Sequence, residues 1–383
     1  MNLIKRDKDI LTGKSDLELI HSIKNFPAKM GVTNQPKEDD FHADMNFYIS
    51  NGSGMIQINP LIPLDFLYQD GHGAGTTGKL WVDHHESFSN FIKDSKPKNI
   101  LEVGGGHNLL SSLYLKDDDH LQEWLILEPG KKELDNVIDN RVRLKQDFFD
   151  KSFLSKNKKY DCIVNSHLFE HLYDPLNFLD IARKTLKDNG LIVMSVPNTE
   201  YMLKNKHANT IMFEHSYYAS ETFIKYMMEK KGFKLINKEY FRDHSIFFSF
   251  KKLDDEPSNI NLPDCVNENK ELIFSYFNHL KGLVEKINEI IVTEDTQIFM
   301  FGAHIFSQIL FFSGIKEDAF KCILDNDQNK HNKRLYGTSL EVKSPIILKD
   351  IKKGIVVLNA GNYNQEIKTQ INKINENISF IIN

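Results

Sequence analysis

The sequence holds few cysteines and no long apolar run. Its three cysteines, Cys162, Cys265 and Cys322, lie far apart along 383 residues, a spacing that excludes a disulfide framework and a Cys-x-x-Cys metal pair. No segment is apolar enough to span a bilayer, and the first residues lack the apolar core of a signal peptide. We therefore expect a soluble, cytoplasmic protein with no membrane partner.

An excess of positive charge is also missing. Lysine and arginine total 48 against 53 aspartates and glutamates, so the formal net charge is −5. Nucleic-acid-binding proteins usually carry a basic footprint, and its absence here leaves a small molecule as the expected partner. A hydrophobic content of 40% is ordinary for a folded chain, and the length suits two or three domains.

Three segments of the chain differ in pattern. Residues 1–85 are mixed and rich in turns, residues 86–253 alternate strand and helix patterns, and residues 254–383 open on a polar linker and then alternate again. Strands separated by helices predict an α/β fold with a parallel, doubly wound sheet. The last two strands of the middle segment are split only by a tight turn, which predicts an antiparallel hairpin at one edge of that sheet.

A glycine turn follows the first strand of the middle segment. The strand carries Glu102 near its end, and Gly104 and Gly106 come directly after it. Ligands of open α/β sheets bind beyond the carboxyl ends of the strands, and glycine lets the backbone approach a ligand closely. A dinucleotide fingerprint needs a third glycine at Leu109, so a nicotinamide site is disfavoured. The arrangement suits a nucleoside that bears an amino acid, with Glu102 near its ammonium group.

Carboxylates also end the next two predicted strands. Glu128 follows the second strand and can accept hydrogen bonds from both ribose hydroxyls. Asp147 follows the third strand and can accept one from an adenine amino group, while Phe148 covers the adenine ring. A lone glycine turn also occurs without any ligand, but acids at three successive strand ends favour a nucleoside site.

Five stretches together carry a resemblance to a known family: ILEVGGGHNLL, WLILEPG, DCIVNSHLFEHLYDP, MSVPNTEY and FEHSYYASETF. With them the chain resembles the S-adenosylmethionine-dependent sugar C-methyltransferases of deoxysugar biosynthesis. The resemblance implies a class I methyltransferase domain, a small N-terminal zinc-binding domain and a C-terminal Rossmann-like domain. It also implies S-adenosylmethionine as cofactor and a nucleotide-linked keto sugar as methyl acceptor.

The chain departs from the family pattern in two places. Serines Ser50 and Ser53 stand where the family has a pair of zinc-binding cysteines. A neutral hydroxyl is a poor zinc ligand compared with a thiolate, so we expect a degenerate N-terminal domain and no metal. The family's Tyr-x-Tyr stretch is also missing, and Met212 replaces a further tyrosine. These losses keep O-methylation of a sugar or another small acceptor open as an alternative.

Histidines in the middle segment are the candidate catalysts. The resemblance places the family's general base at His215, with Glu214 beside it to orient the ring or to hold a substrate hydroxyl. A histidine that titrates near neutrality suits abstraction of a proton α to a carbonyl. His171 and His167 follow the fourth strand, next to the expected position of the transferred methyl group, and we expect His167 to contact the cofactor. A capping or packing role is the alternative for His215 and His171.

The acceptor site is expected to draw on four further residues: His72, Trp81, His84 and Tyr217. A metal site among the histidines is conceivable, but no acidic partner follows at a matching spacing. A non-catalytic binding subunit of a polysaccharide pathway is the alternative of a different class.

Overall fold

The computed structural model describes residues 2–68, 78–106, 108–116, 118–130, 139–154, 158–257, 259–293 and 296–382. Within these ranges the strands form three main sheets, one for each segment of the chain. No helix of the described residues is long and apolar enough to cross a bilayer.

The N-terminal segment builds a four-stranded antiparallel sheet. The elements of this segment are β1 (Leu17–Pro27), a short β2 (Val32–Thr33) that lies outside the sheet, β3 (His42–Ser50), β4 (Ile56–Ile58) and the helical turn α1 (Leu64–Leu67). Alternate residues of β3 are buried, as expected for a strand with one face on a core. The sheet order is β1-β3-β4-β10, and its last strand, β10 (Tyr217–Tyr218), comes from the middle segment of the chain.

The middle segment builds a seven-stranded sheet in the order β11-β12-β9-β8-β5-β6-β7. All neighbouring strands are parallel except those that pair with β12. The strands are β5 (Asn99–Val103), β6 (Glu123–Leu127), β7 (Val142–Lys145), β8 (Tyr160–Ser166), β9 (Leu186–Pro197), β11 (Phe233–Phe241) and β12 (Ser245–Lys252). The predicted doubly wound sheet with its antiparallel edge hairpin is thereby confirmed.

Helices cover this central sheet. They are α2 (Lys79–Lys93), α3 (Leu109–Leu115), α4 (Lys151–Leu154), α5 (Pro175–Thr185), α6 (Thr199–Lys204) and α7 (Glu221–Lys230). The Asp174 side chain accepts a hydrogen bond from the backbone N–H of Asn177 and so caps α5. Helix α5 ends at Thr185 because the next residue, Leu186, already pairs with Tyr160 of β8.

The C-terminal segment builds a five-stranded parallel sheet in the order β16-β14-β13-β17-β18. The strands are β13 (Gln297–Phe301), β14 (Phe320–Leu324), β16 (Val342–Lys343), β17 (Gly354–Leu358) and β18 (Ile378–Ile382). The long helix α8 (Val266–Thr293) precedes the sheet, and α9 (Ile305–Phe312) and α10 (Asn364–Ile374) lie within the segment.

The N-terminal and C-terminal segments share a hydrophobic core, which includes Phe47, Ile287 and Leu310. The short strand β15 (Arg334–Leu335) pairs with β2, and Arg334 donates to both carboxylate oxygens of the buried Asp40 at 2.5 and 2.7 Å. The three-domain division stays a prediction. Helix α2 crosses its proposed first boundary at residue 85 and packs on the central sheet.

Candidate active site

A cavity of about 980 Å³ opens at the carboxyl ends of the central strands. Its wall includes the glycine turn after β5, Ser166 at the end of β8 with the following His167, and Pro197 at the end of β9. The cavity continues past Lys29 and Phe66 of the N-terminal segment to residues of the C-terminal segment, namely His304, Lys330, Tyr336 and Tyr363. All three segments therefore enclose one space, which has room for a cofactor and an acceptor side by side.

The glycine turn is shaped by close contacts as well as by its backbone angles. Gly104 has a φ of +80°, and a Cβ atom added there would lie 3.2 Å from Leu168. A Cβ atom on Gly105 would lie 2.3 Å from the carboxyl carbon of Glu102, so any side chain there would displace this carboxylate. We predicted Gly104 and Gly106 as cofactor residues, and the structure adds Gly105, which the sequence pattern did not single out.

Glu102 lies buried beneath this turn and lines the cavity. Its Oε2 atom accepts a 2.7 Å hydrogen bond from the indole N–H of Trp124 on β6. Burial raises the pKa of Glu102 to about 7, with a further rise from the Glu128 charge and an opposing effect of the Trp124 hydrogen bond. A buried carboxylate of this kind gains most from a cationic ligand, so the turn fits the ammonium group of an amino-acid-bearing nucleoside.

We expect the binding of S-adenosylmethionine to weaken as the pH falls through about 7. If Glu102 holds the ligand's ammonium group as we predict, its ionised form attracts that group, and protonation near its raised pKa removes the attraction. The dissociation constant should rise roughly tenfold between about pH 8 and about pH 6, as measured by calorimetry. The control is Glu102→Gln, whose affinity should be weaker and nearly flat over this range. A wild-type profile no steeper than that of Glu102→Gln would remove Glu102 from the site.

Glu128 and Asp147 follow the next two strands at the same edge of the sheet, and each side chain contacts residues close to it in the sequence. Glu128 follows β6, and its Oε1 accepts a 3.1 Å hydrogen bond from the N–H of Gly130. Its charge raises the pKa of Tyr68 and of Glu102, which places it near both. Asp147 accepts from the N–H of Phe148 and pairs with Lys145 at 2.8 Å, and Phe148 is half exposed. Their roles toward a nucleoside stay predictions.

His215 is oriented by the backbone of the loop that carries it. Its Nδ1 atom lies 2.7 Å from the carbonyl oxygen of Thr210. A carbonyl can only accept, so Nδ1 carries the proton in the neutral ring and Nε2 keeps its lone pair. The ring lines the cavity. A histidine fixed in this tautomer can take a proton at Nε2, which is the chemistry predicted for it.

The chain pairing around β10 brings His215 to the loop after β8. Ser216 accepts a hydrogen bond from the N–H of Ile58 on β4 and donates its own N–H to the carbonyl of Glu170. As a result the rings of His171 and His215 stack edge to face, with centroids 5.1 Å apart. This tertiary pairing unites the two Glu-His dipeptides that lie 44 residues apart in the sequence.

His171 lies at the centre of a buried polar group. Its Nδ1 atom is 3.0 Å from the Tyr68 hydroxyl and 3.9 Å from Oε2 of Glu214, and its Nε2 atom is 3.8 Å from Oε1 of Glu170. Burial and the charges of the two glutamates raise the pKa of Tyr68 well above its ordinary value, so the phenol keeps its proton. Tyr68 and Glu170 were not among the predicted site residues.

The remaining acceptor candidates divide into wall and core residues. Trp81 lines the cavity with His85, and its ring contacts those of His167 and His244 at 4.9 and 5.0 Å. His84, in contrast, is fully buried with Nε2 2.8 Å from Ser195 Oγ, because it lies on the face of α2 that packs on the sheet.

Tyr217 is also a core residue. It is buried, and its hydroxyl donates to the carbonyl of Phe169 at 2.5 Å. Neither His84 nor Tyr217 lies in the cavity wall where the sequence predicted them. His72 lies outside the described residues.

The serines at the degenerate zinc positions hold their loop by hydrogen bonds instead. Ser50 Oγ donates to Asp16 at 3.0 Å and accepts from the N–H of Ser53 at 3.0 Å, and Ser53 Oγ accepts from the N–H of Met55 at 3.1 Å. Among the described residues, only Glu170, His171 and His215 bring three potential metal-ligand atoms within 4.8 Å of one another. The serine loop is not part of that group.

We expect the purified protein to carry no stoichiometric zinc. The hydroxyls of Ser50 and Ser53 are satisfied by backbone and aspartate partners, and neither is a good zinc ligand. Elemental analysis should find well under one zinc per chain, and a chelator should leave the thermal unfolding temperature unchanged. One tightly held zinc would contradict this, and its loss in His171→Ala would assign it to the histidines.

The sheet order and the glycine turn over a buried carboxylate define a class I methyltransferase fold. Consistent with this, the family model described as "Methyltransferase domain" matches residues 79–238. The model described as "C-methyltransferase C-terminal domain" matches residues 275–383. Residues 79–238 are therefore an S-adenosylmethionine-dependent methyltransferase domain, which confirms the enzyme class and cofactor that the sequence predicted.

Individual relatives are more distant. The ubiquinone biosynthesis O-methyltransferase of Histophilus somni (strain 2336) is 28% identical over 111 residues, which are 27% of this chain. The match spans about half of that relative's length, 47%. Among solved structures, the N-methyltransferase NodS from Bradyrhizobium japonicum WM9 is 12% identical with a TM-score of 0.35, over 46% of this chain and 98% of its own. An S-adenosylmethionine-dependent methyltransferase from Mesorhizobium loti is 12% identical with a TM-score of 0.36, over 45% and 100%.

Proposed function

We propose that this protein transfers a methyl group from S-adenosylmethionine to a carbon atom of a nucleotide-linked keto sugar. The observation that carries the proposal is the fixed tautomer of His215, which leaves the Nε2 lone pair available on a ring that lines the cavity beyond the methyltransferase strands. The match of residues 275–383 to the C-methyltransferase C-terminal domain supports carbon as the atom methylated.

His215 acts as the general base in this proposal. When bound, S-adenosylmethionine supplies an electrophilic methyl group. Nε2 of His215 removes the proton α to the sugar carbonyl. The carbon left with the electron pair bonds to the methyl carbon as the bond from that methyl carbon to the sulfonium sulfur breaks, and the sulfur keeps the bonding electrons. Glu214 and His171 lie beside the ring and hold the sugar hydroxyls or the developing enolate, and the buried cavity keeps the two reactants in line.

The extent of the cavity supports a nucleotide-linked acceptor over a small free sugar. Beyond the histidines the space runs between the N-terminal and C-terminal segments, where the cationic Lys29 and Lys330 line its wall together with the acidic Asp39 and Asp327. Cationic side chains favour an anionic ligand such as a diphosphate. An acceptor that reaches from His215 to these residues needs a long, charged part as well as a sugar ring.

O-methylation is the second candidate. Met212, at the position of a family tyrosine, is buried and lies in the cavity wall, so the chain lacks that hydroxyl beside the acceptor. The relative from Histophilus somni is named an O-methyltransferase. His215 could equally deprotonate a hydroxyl group, and the cofactor site would be the same.

The test is a screen of nucleoside-diphosphate-linked keto sugars and their reduced hydroxy counterparts with S-adenosylmethionine. Products are detected by a mass increase of about 14 Da, which corresponds to one hydrogen replaced by one methyl group. The methylated atom is then assigned by NMR. A new carbon–carbon bond next to the carbonyl supports the proposal. Methyl ether formation on a hydroxy sugar would replace C-methylation with the second candidate.

A further inference from the structure

Arg6 is a buried arginine near the start of the chain, with 8% of its surface exposed. Burial lowers the pKa of Arg6 to about 10, and the nearby Tyr217, Tyr173 and Asp174 oppose this effect. Taking a charge out of water costs free energy unless its hydrogen-bond donors find acceptors. The groups that accept from this guanidinium therefore explain why the side chain lies where it does.

The guanidinium joins the two loops that carry the Glu-His dipeptides. Its Nη2 atom donates to the carbonyl oxygen of Tyr173 at 2.8 Å, two residues after His171 in the loop that follows β8. Its Nη1 atom donates to the carbonyl oxygen of Ser216 at 2.9 Å, one residue after His215, and Nη2 also lies 3.4 Å from the Ser216 hydroxyl. The planar fork of a guanidinium can serve two acceptors at once, so one side chain holds both loops.

The backbone around Arg6 is itself fixed to the N-terminal segment. The N–H of Arg6 donates to Oδ1 of Asn59 at 2.9 Å, and Ile4 exchanges two backbone hydrogen bonds with Leu61 at 2.9 and 2.8 Å. Asn59 directly follows β4, the strand that pairs with β10 beyond His215. Arg6 therefore reaches the two loops from a fixed position.

We propose that Arg6 is a positioning residue, which holds the loop of His215 against the loop of His171 and so keeps the base in place for proton removal. The inference rests on the proposed function, in which His215 is the base. Arg6 is not among the described residues of the cavity wall, so it acts through His215 and not on the acceptor itself. The carbonyl of Ser216 accepts from the N–H of Ile58 as well as from Arg6, and without Arg6 only the first of these two bonds remains.

Arg6→Ala and Arg6→Lys are the test, because a displacement of a reacting group by about 1 Å can lower a rate about a hundredfold. We expect kcat of Arg6→Ala with a nucleoside-diphosphate-linked keto sugar to fall by about ten- to a hundredfold. Arg6→Lys keeps the charge but replaces the fork with a single nitrogen, so its kcat should lie between those of Arg6→Ala and wild type. The KM for the acceptor should stay within about twofold of the wild-type value in both variants, because the contacts with the acceptor are kept.

Two further measurements separate positioning from damage to the fold. Calorimetry should find the wild-type number of S-adenosylmethionine sites per chain and the wild-type affinity in both variants, whereas partial unfolding would reduce the number of sites. With an acceptor deuterated at the carbon next to the carbonyl, the isotope effect on kcat should be at least as large as in wild type, because proton removal is the step that slows. If Arg6→Ala does not fold, Arg6→Lys decides by the same measurements.

Arg183→Ala is the matched control. Arg183 lies on α5, and its guanidinium also donates to two backbone carbonyls, those of Gly232 and Leu253 at 3.0 and 2.8 Å. None of these three residues is among the described residues of the cavity wall. This variant should keep the wild-type kcat and isotope effect.

Native kcat in Arg6→Ala, a loss of kcat matched by a loss of cofactor sites, or an isotope effect smaller than that of wild type would overturn the positioning role and leave the proposed function intact. Wild-type protein that methylates no keto sugar would overturn both.

Discussion

His215→Ala is expected to lose turnover by about 10²–10⁴-fold, the usual contribution of a general base. The structure gives the physical reason: Thr210 holds the proton on Nδ1, and Nε2 is left to accept the acceptor's proton. S-adenosylmethionine should bind this variant as it binds the wild-type protein, because the proposed role of the ring is toward the acceptor and not toward the ribose or adenine of the cofactor. Steady-state kinetics and calorimetry on one preparation measure both quantities.

His171→Ala is the comparison for that experiment. His171 lies between Tyr68 and the two glutamates, so its loss should cost less turnover than the loss of His215, or should weaken cofactor binding as well. Near-native turnover in His215→Ala together with an inactive His171→Ala would transfer the base to the loop after β8. If both variants stayed active, proximity alone would suffice and the acceptor would be more acidic than a sugar carbon.

Glu128→Ala is expected to weaken S-adenosylmethionine binding by at least about tenfold with the fold intact. A carboxylate on the ribose diol makes two charge-assisted hydrogen bonds, each worth roughly 1.5–3 kcal/mol. The local bond from the N–H of Gly130 to Glu128 is only partly buried, and a hydrogen bond of this kind contributes about 1 kcal/mol to folding. Calorimetry gives the affinity, and circular dichroism checks that the variant is folded.

Glu123→Ala provides the matched control for Glu128→Ala. Glu123 begins the same strand, at the end remote from the cavity, and pairs with Lys158. Its removal should leave cofactor affinity unchanged. Equal affinities of wild type, Glu123→Ala and Glu128→Ala would exclude Glu128 from ribose binding.

The central sheet could be predicted from the sequence because its signals are local. Apolar runs such as 99–103 and 160–165, each bounded by glycine, proline or polar turns, became β5 and β8 almost without change. The hairpin of β11 and β12 followed from two such runs around one tight turn. The location of the carboxylates could also be predicted, because residues at the carboxyl ends of parallel strands lie along the same edge of the sheet.

Contacts between distant parts of the chain could not be predicted in the same way. The bond from Trp124 to Glu102 depends on the register of β5 and β6, in which Ile126 lies opposite Glu102. Trp124 lies two residues before Ile126 on β6, so in this register its side chain is on the same face of the sheet as that of Glu102. The pairing of β10 with β4 joins residues about 160 positions apart, and no local pattern indicates it.

The positions of His84 and His85 on helix α2 could have been compared with its buried residues from the sequence alone. Phe88, Phe91 and Ile92 form the buried stripe of this helix. His84 lies four residues before Phe88 and so on the same face, whereas His85 lies about 100° around the helix and reaches the cavity. Helical spacing places His84 nearer than His85 to the centre of the buried stripe, which agrees with its burial in the core.

The strand that the middle segment contributes to the N-terminal sheet constrains how this chain can evolve. Tyr217 and Tyr218 pair with β4 starting two residues after His215, the proposed base, so the position of His215 depends on a surface encoded about 160 residues upstream. Replacing the first segment with that of a distant relative would shift the base relative to the methyl donor, even if each part folded. Residues of β4 and of the loop at 214–218 should therefore change together in descent, as one inherited unit, although the gene places them far apart.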